Sequence, residues 1–105
     1  MRIVEITSGE RKGQRFYVKQ VLESEFVLEN VSHRNVVIDK KDVQDIPFLP
    51  FLPGDVVTIT GGTRNSPFKI GDELPIFSVN QLDQSYTFLH GDMGWVFEKN
   101  HVKGN

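Results

Sequence analysis

Two stretches of this chain share one pattern: Val4-Glu5-Ile6-Thr7-Ser8-Gly9-Glu10-Arg11 and Val57-Thr58-Ile59-Thr60-Gly61-Gly62-Thr63-Arg64. In both, apolar and polar residues alternate and a glycine follows, which is typical of a β-strand that ends in a turn. The match returns twice further along each half. Phe26-Val27-Leu28 corresponds to Tyr86-Thr87-Phe88, and the segment 36–43 corresponds to the segment 95–102.

The matches come in the same order in both halves, and their turn residues agree, which predicts an internal duplication. Such a repeat matters because one that is overlooked changes the assignment of the whole fold. The alternative is that any two short β meanders look alike. Short runs of Val, Ile, Phe and Tyr lie between Gly, Pro, Asn and Asp along most of the chain, so the sequence predicts an all-β fold. The predicted strands are 2–7, 16–22, 25–29, 35–39 and 43–46 in the first half, and 55–60, 73–81, 85–90, 94–98 and Val102 in the second.

Composition restricts the class of protein. The chain has 105 residues, no cysteine, 12 Lys and Arg against 14 Asp and Glu, and a formal net charge of -2. Its length excludes a large multi-domain enzyme, and the lack of cysteine excludes disulfides and thiolate ligands. No apolar run approaches a membrane span or a signal peptide. We therefore expect a soluble cytoplasmic protein without a membrane partner.

A proline-rich segment, Pro47-Phe48-Leu49-Pro50-Phe51-Leu52-Pro53, separates the two halves. Proline at every third position removes backbone donors and favours extended backbone, which excludes a central strand. Four bulky apolar residues make an unusual solvated linker. We expect a stiff connector at 47–53 that packs internally, and docking of this segment on an aromatic groove is the alternative.

The order of elements in each half resembles a Src-homology-3-like small barrel, with a long loop after the first strand, three meandering strands and a short last strand. Gly94-Trp95-Val96 and Asn100-His101-Val102 are similar to bacterial Src-homology-3-type barrels. Val4 to Gly13 resembles the KOW motif of ribosomal proteins and transcription elongation factors. The resemblance implies two tandem Src-homology-3-like small barrels, a KOW-like first barrel at 1–46 and a second barrel at 54–105.

The KOW resemblance implies a nucleic-acid contact in the loop after the first strand. By that analogy Arg11, Lys12 and Arg15 would bind RNA phosphates or an acidic protein surface. The alternative is a solvated loop, which the acidic overall balance favours.

Aromatic residues supply the other candidate site. Phe16, Phe26, Phe88 and Phe97 are expected in the cores. Tyr17, Tyr86 and Trp95 are amphipathic, and residues of this kind anchor the binding grooves of small barrels. Phe68 lies in a glycine-rich loop, and it is either a plug over the second barrel or an exposed anchor. We expect Tyr86, Trp95, Phe68 and Tyr17 to bind a partner.

No residue set with catalytic or phosphate-binding spacing is recognisable, so we expect no enzyme, no cofactor and no small-molecule substrate. His90 and Asp92 are one pair, too few ligands for a stable metal site. The sequence thus predicts non-catalytic recognition of a protein partner. The alternatives are binding of RNA or of the transcription or translation machinery, and a cell-wall-binding module. The resemblance implies a bacterial or phage source.

Overall fold

The computed structural model describes residues 2–30 and 32–105, and none of them lies in an α-helix. Eleven β-strands account for the regular structure, together with two short 3-10 helices. The all-β fold that the sequence predicts is therefore confirmed. The chain divides into two compact units, Met1–Phe48 and Leu49–Asn105, which we call the first and the second unit.

One antiparallel sheet of five strands forms the first unit, in the order β4-β3-β2-β1-β5. A 3-10 helix, Lys40–Asp42, connects the last two strands, and the side chain of Asp39 accepts a hydrogen bond from the Lys41 N–H at its start. Five residues form the core of this unit: Val4, Ile6, Phe16, Phe26 and Leu28. The strands are β1 (Ile3–Ile6), β2 (Arg15–Val21), β3 (Glu25–Glu29), β4 (Asn35–Asp39) and β5 (Val43–Ile46).

Two antiparallel sheets of three strands form the second unit, in the orders β11-β6-β7 and β10-β9-β8. A 3-10 helix, Lys99–His101, precedes the last strand. The core is rich in aromatic residues and contains Leu49, Val57, Ile59, Phe68, Ile76, Tyr86, Phe88, Phe97 and Val102. The strands are β6 (Val56–Ile59), β7 (Glu73–Pro75), β8 (Ser78–Asn80), β9 (Ser85–His90), β10 (Met93–Glu98) and β11 (Val102–Gly104).

The structure divides the predicted strand 73–81 into two strands, β7 and β8. β7 pairs with β6, whereas β8 pairs with β9 in the other sheet. Pro75 has no N–H to continue a ladder, and the chain changes sheet directly after it. The Ile76 N–H donates to Asp55, and the Phe77 N–H donates to Thr87. The other predicted strands agree with the observed ones to within about two residues, the usual uncertainty of strand ends.

The sheets of the two units are not closed into barrels. In the first unit β4 and β5 are the two edges and do not pair with each other, and in the second unit no strand pairs across the two sheets. The structure thus establishes small antiparallel sheets, a broader description than the two barrels that the resemblance implies.

The internal register of the two units follows the sequence correspondence. Phe26 pairs with Ile38 between β3 and β4, and Tyr86 pairs with Phe97 between β9 and β10. Two residues further along each strand, Leu28 pairs with Val36, and Phe88 pairs with Trp95. The pairs between β3 and β4 therefore have their counterparts at the corresponding sequence positions between β9 and β10.

The turn after the first strand of each unit is closed by the same backbone hydrogen bonds. Gly13 N–H donates to Ile6 O at 2.8 Å, and Gly71 N–H donates to Ile59 O at 2.8 Å. Both glycines have a positive φ, 90° and 95°, a conformation that favours glycine over other residues. Because the intervening loops differ in length, these glycines define where the two units return to register.

The proline-rich segment does not behave as one linker. Leu49 is 6% exposed and belongs to the core of the second unit, and its N–H donates to Gln81 Oε1 at 2.7 Å. The Phe51 ring lies 5.9 Å from the Tyr86 ring. Phe48 and Leu52, in contrast, are exposed. The expected internal packing thus applies to Leu49 and Phe51, which extend the aromatic core of the second unit.

This division gives a matched pair of substitutions. Leu49→Ala should lower the free energy of unfolding by about 2–4 kcal/mol, because it leaves a cavity in the core. Leu52→Ala should change it by less than about 0.5 kcal/mol, because Leu52 is 64% exposed. Urea denaturation followed by circular dichroism measures both. Equal effects of the two substitutions would contradict the packing of Leu49 described above.

Candidate functional site

Tyr86 and Phe68, two of the predicted partner-binding residues, lie in the core of the second unit. Tyr86 is 1% exposed and Phe68 is 6% exposed. Side chains this deeply buried offer little surface to a partner, so these two residues are left out of the surface that we propose below. Both residues instead belong to the core of the second unit.

The Tyr86 hydroxyl connects the core to the proline-rich segment. It is hydrogen-bonded to the backbone of Phe51. Burial raises the pKa of the Tyr86 phenol above its usual value of 10.0, and the hydrogen bond with Phe51 opposes this shift. A phenol in this position is neutral at physiological pH and satisfies its polar atom while its ring packs.

Phe68 is a plug rather than an exposed anchor. Its ring meets Phe97 at 5.9 Å and Phe88 at 6.4 Å between centroids. The loop that carries it is held by Ser66, whose hydroxyl donates to the carbonyl of Thr63 at 2.9 Å. The glycine-rich loop 61–71 thus contributes an aromatic residue to the core from outside the strands.

Trp95 and Tyr17 are the predicted binding residues that keep accessible surface. Both are half-buried, Tyr17 in β2 of the first unit and Trp95 in β10 of the second. Trp95 packs against the aromatic core, while its indole Nε1 is buried without a hydrogen-bond partner. In the part of the chain that the structure describes, this is the one buried side-chain polar atom without a partner.

Three exposed apolar residues that the sequence did not single out lie in or next to the β10-β9-β8 sheet. Phe77 is 58% exposed, Leu89 is 41% exposed and Val96 is 68% exposed. Val96 pairs across the sheet with Thr87, and Phe77 donates its N–H to the same Thr87. Leu89 lies two residues beyond Thr87, on the same face. We call Phe77, Leu89 and Val96 the outer apolar strip.

Gly94 interrupts this surface. It pairs with Leu89, and a Cβ atom at this position would lie 3.1 Å from the Thr87 methyl group. Gly94 carries no side chain, and the Thr87 methyl group occupies the space beside it.

The basic loop of the first unit is more closely neutralised than its sequence suggests. Arg11 and Lys12 are exposed in the turn after β1. Arg15 Nε, however, forms an ion pair with Glu5 Oε1 at 3.1 Å, and Gln44 donates to the other oxygen of Glu5. Of the three residues predicted to contact phosphate, Arg11 and Lys12 are therefore exposed, whereas Arg15 is already paired with Glu5.

The described residues hold no group of three or more His, Asp or Glu side chains close enough to share a metal ion. None of their helices has the length and apolarity needed to cross a membrane. Comparison with known proteins gives no matching family model and no matching curated relative.

Tyr86→Phe should lower the free energy of unfolding by about 1 kcal/mol, because it removes the hydrogen bond to Phe51 and keeps the ring. The pH dependence should also change. A phenol whose pKa is raised by folding contributes stability below pH 10 that is lost as the pH rises further. Denaturation between pH 8 and pH 11, a range of about one unit or more on either side of a phenol pKa, should show a steeper alkaline loss in the wild type. Parallel pH profiles would contradict a raised pKa for Tyr86.

Trp95→Phe should change the free energy of unfolding by less than about 1 kcal/mol, because two effects oppose each other. The smaller ring loses packing area, whereas removal of an unsatisfied buried donor recovers a cost of about 1–3 kcal/mol. Trp95→Ala, which removes the ring as well, is the matched comparison and should cost about 3 kcal/mol. A loss on Trp95→Phe as large as that on Trp95→Ala would show that the indole N–H is satisfied.

Proposed function

We propose that the chain is a non-catalytic binding protein that recognises a protein partner through the outer apolar strip of its second unit. The observation that carries the proposal is the exposure of Phe77, Leu89 and Val96 around one position, Thr87. Large exposed apolar patches mark interaction surfaces in monomeric proteins. Aromatic residues such as Phe77 are enriched at the centre of protein interfaces.

The strip lies over a packed core, and this favours it over a mobile loop as the binding surface. Tyr86 and Phe88 in β9 and Phe97 in β10 are buried on the inner face directly below the strip. A recognition surface held by a packed core loses less conformational entropy on binding than one that must first become ordered. Trp95, half-buried at the same strand, adds an amphipathic residue next to the strip.

We propose further that each unit is an open relative of the Src-homology-3-like small barrel and that the two arose by duplication. Three features support this. Both units place the last strand beside the first, both precede it with a 3-10 helix, and both share the pairing register of their third and fourth strands. The equivalent backbone hydrogen bonds of Gly13 and Gly71 add independent support.

RNA binding by the first unit is the weaker candidate, because the Glu5 carboxylate neutralises Arg15 and the chain carries a net charge of -2. A cell-wall-binding module rests on Gly94-Trp95-Val96 alone. Both serve as the alternative outcomes of the experiment below.

The full chain, immobilised through a tag, is used to capture partners from a bacterial lysate with and without nuclease. A captured protein is then purified and titrated against variants by calorimetry. Phe77→Ser combined with Leu89→Ser should weaken binding by about thirtyfold, because loss of an interface anchor commonly costs 2 kcal/mol or more. Both side chains are exposed, so the variant should remain folded.

The matched control is Val21→Ser combined with Val37→Ser, two exposed apolar residues of the first unit. It should bind as the wild type does, and nuclease should have no effect. The proposal is contradicted if no protein is captured, if the strip variant binds as the control does, or if nuclease releases the partner. Loss of binding in Arg11→Glu combined with Lys12→Glu would instead support the RNA alternative.

A further inference from the structure

We infer that the free edge of strand β10 is a self-association site, at which a second copy of this chain adds its own β10 antiparallel to the first. In the β10-β9-β8 sheet β10 has one neighbour, β9. No residue of β10 exchanges a backbone hydrogen bond with any other strand in residues 2–30 and 32–105. An edge of this kind presents unpaired N–H and C=O groups to another strand.

β10 lacks the features by which proteins usually block an exposed edge. Such edges are kept short, or carry lysine, proline or a bulge. β10 spans six residues, Met93–Glu98, with neither lysine nor proline, and its pairing with β9 is regular throughout. Val96 is 68% exposed, and Gly94 has no side chain that could shield the edge.

The other edges are better protected. β7, β8 and β11 have three residues each, and β7 ends in Pro75. β5 carries Asp45, which forms an ion pair with Arg2 at 3.0 Å. The counterpart of β10 in the first unit is β4, and it is flanked by Arg34 and Lys40. Antiparallel pairing of β4 with its own copy about Val37 would bring these like charges together at both ends, which is destabilising.

One register of β10 with its own copy satisfies both the faces of the sheet and the charges. A two-fold axis through Val96 places Val96 opposite Val96 of the second copy, and Gly94 opposite Glu98 of the second copy. Outward residues then remain on the outer face, as the period of two in a strand requires. Gly94 itself presents no side chain to the opposing Glu98.

The neighbouring registers are less favourable. An axis through Trp95 would set Asp92 directly opposite Glu98 of the second copy, twice over, and opposed like charges destabilise a sheet. An axis through Phe97 would run past the end of β10 at Glu98 and lose paired residues. The Val96 register instead places Asp92 opposite Asn100 and Met93 opposite Lys99 of the second copy, so that no like charges are opposed.

The association would unite two three-stranded sheets into one of six strands, and the two outer apolar strips would lie on the same face. The inference does not depend on the proposed protein partner, since it requires only the chain itself. Its test is therefore independent of the capture experiment.

The test is sedimentation velocity of the full chain from about 1 μM to about 1 mM, the range in which weak protein interfaces form. Wild type should show a concentration-dependent dimer. Val96→Lys should weaken association about tenfold or more, because it sets two like charges opposite each other. Val37→Lys, at the corresponding exposed position of the first unit, is the matched control and should dimerise as the wild type does. Circular dichroism verifies that both variants are folded.

Hydrogen exchange on the wild type gives a readout that needs no variant. Amide protection within 93–98 should rise with protein concentration, while protection within 35–39 should not change. A wild type that is monomeric at all concentrations overturns the inference. So does a dimer that Val96→Lys leaves intact, or one that Val37→Lys removes instead.

Discussion

The edge-to-face contact between Phe88 and Phe97, with ring centroids 5.7 Å apart at 80°, is the contact on which the second unit depends. Both rings are buried, and Phe68 packs against each of them. Aromatic pairs in this arrangement add to the free energy of area burial. A unit of this size buries too little apolar surface to tolerate a poorly filled centre. Phe68 therefore attaches the glycine-rich loop to β9 and β10, two strands that backbone hydrogen bonds already pair.

This inward packing also determines what the outer face presents. Tyr86, Phe88 and Phe97 face the core, and the residues between them must face outward because a strand alternates with a period of two. In many half-exposed sheets those outward positions are polar. Here they include Leu89 and Val96, and the chain adds Phe77 where it passes from one sheet to the other. The outward direction of Leu89 and Val96 is thus a direct consequence of the register that builds the core.

The third and fourth strands of the two units pair in the same register but carry different side chains. Where the first unit pairs Leu28 with Val36, the second pairs Phe88 with Trp95, and the backbone register is the same. Larger residues in the second unit are accompanied by a larger core, which takes in Leu49 and Phe68 from outside the strands. The proline-rich segment and the glycine-rich loop therefore contribute packing residues, and each contains exposed residues as well. A segment outside the strands can supply core residues wherever its backbone polar groups find partners, as Leu49 does at Gln81.

The sequence by itself determined the all-β class, the bounds of most strands and the correspondence between the two halves, because alternation, turn residues and glycine positions are local properties. It also identified the core phenylalanines, since apolar positions in alternating strands have only two faces to choose between. Tertiary structure alone decided which aromatic residues are accessible. Tyr86 and Trp95 look equally amphipathic in sequence, yet one is buried against Phe51 and the other is half-exposed. The outer apolar strip joins residues from β9, β10 and the passage between β7 and β8, and only the pairing of distant strands around Thr87 brings them together.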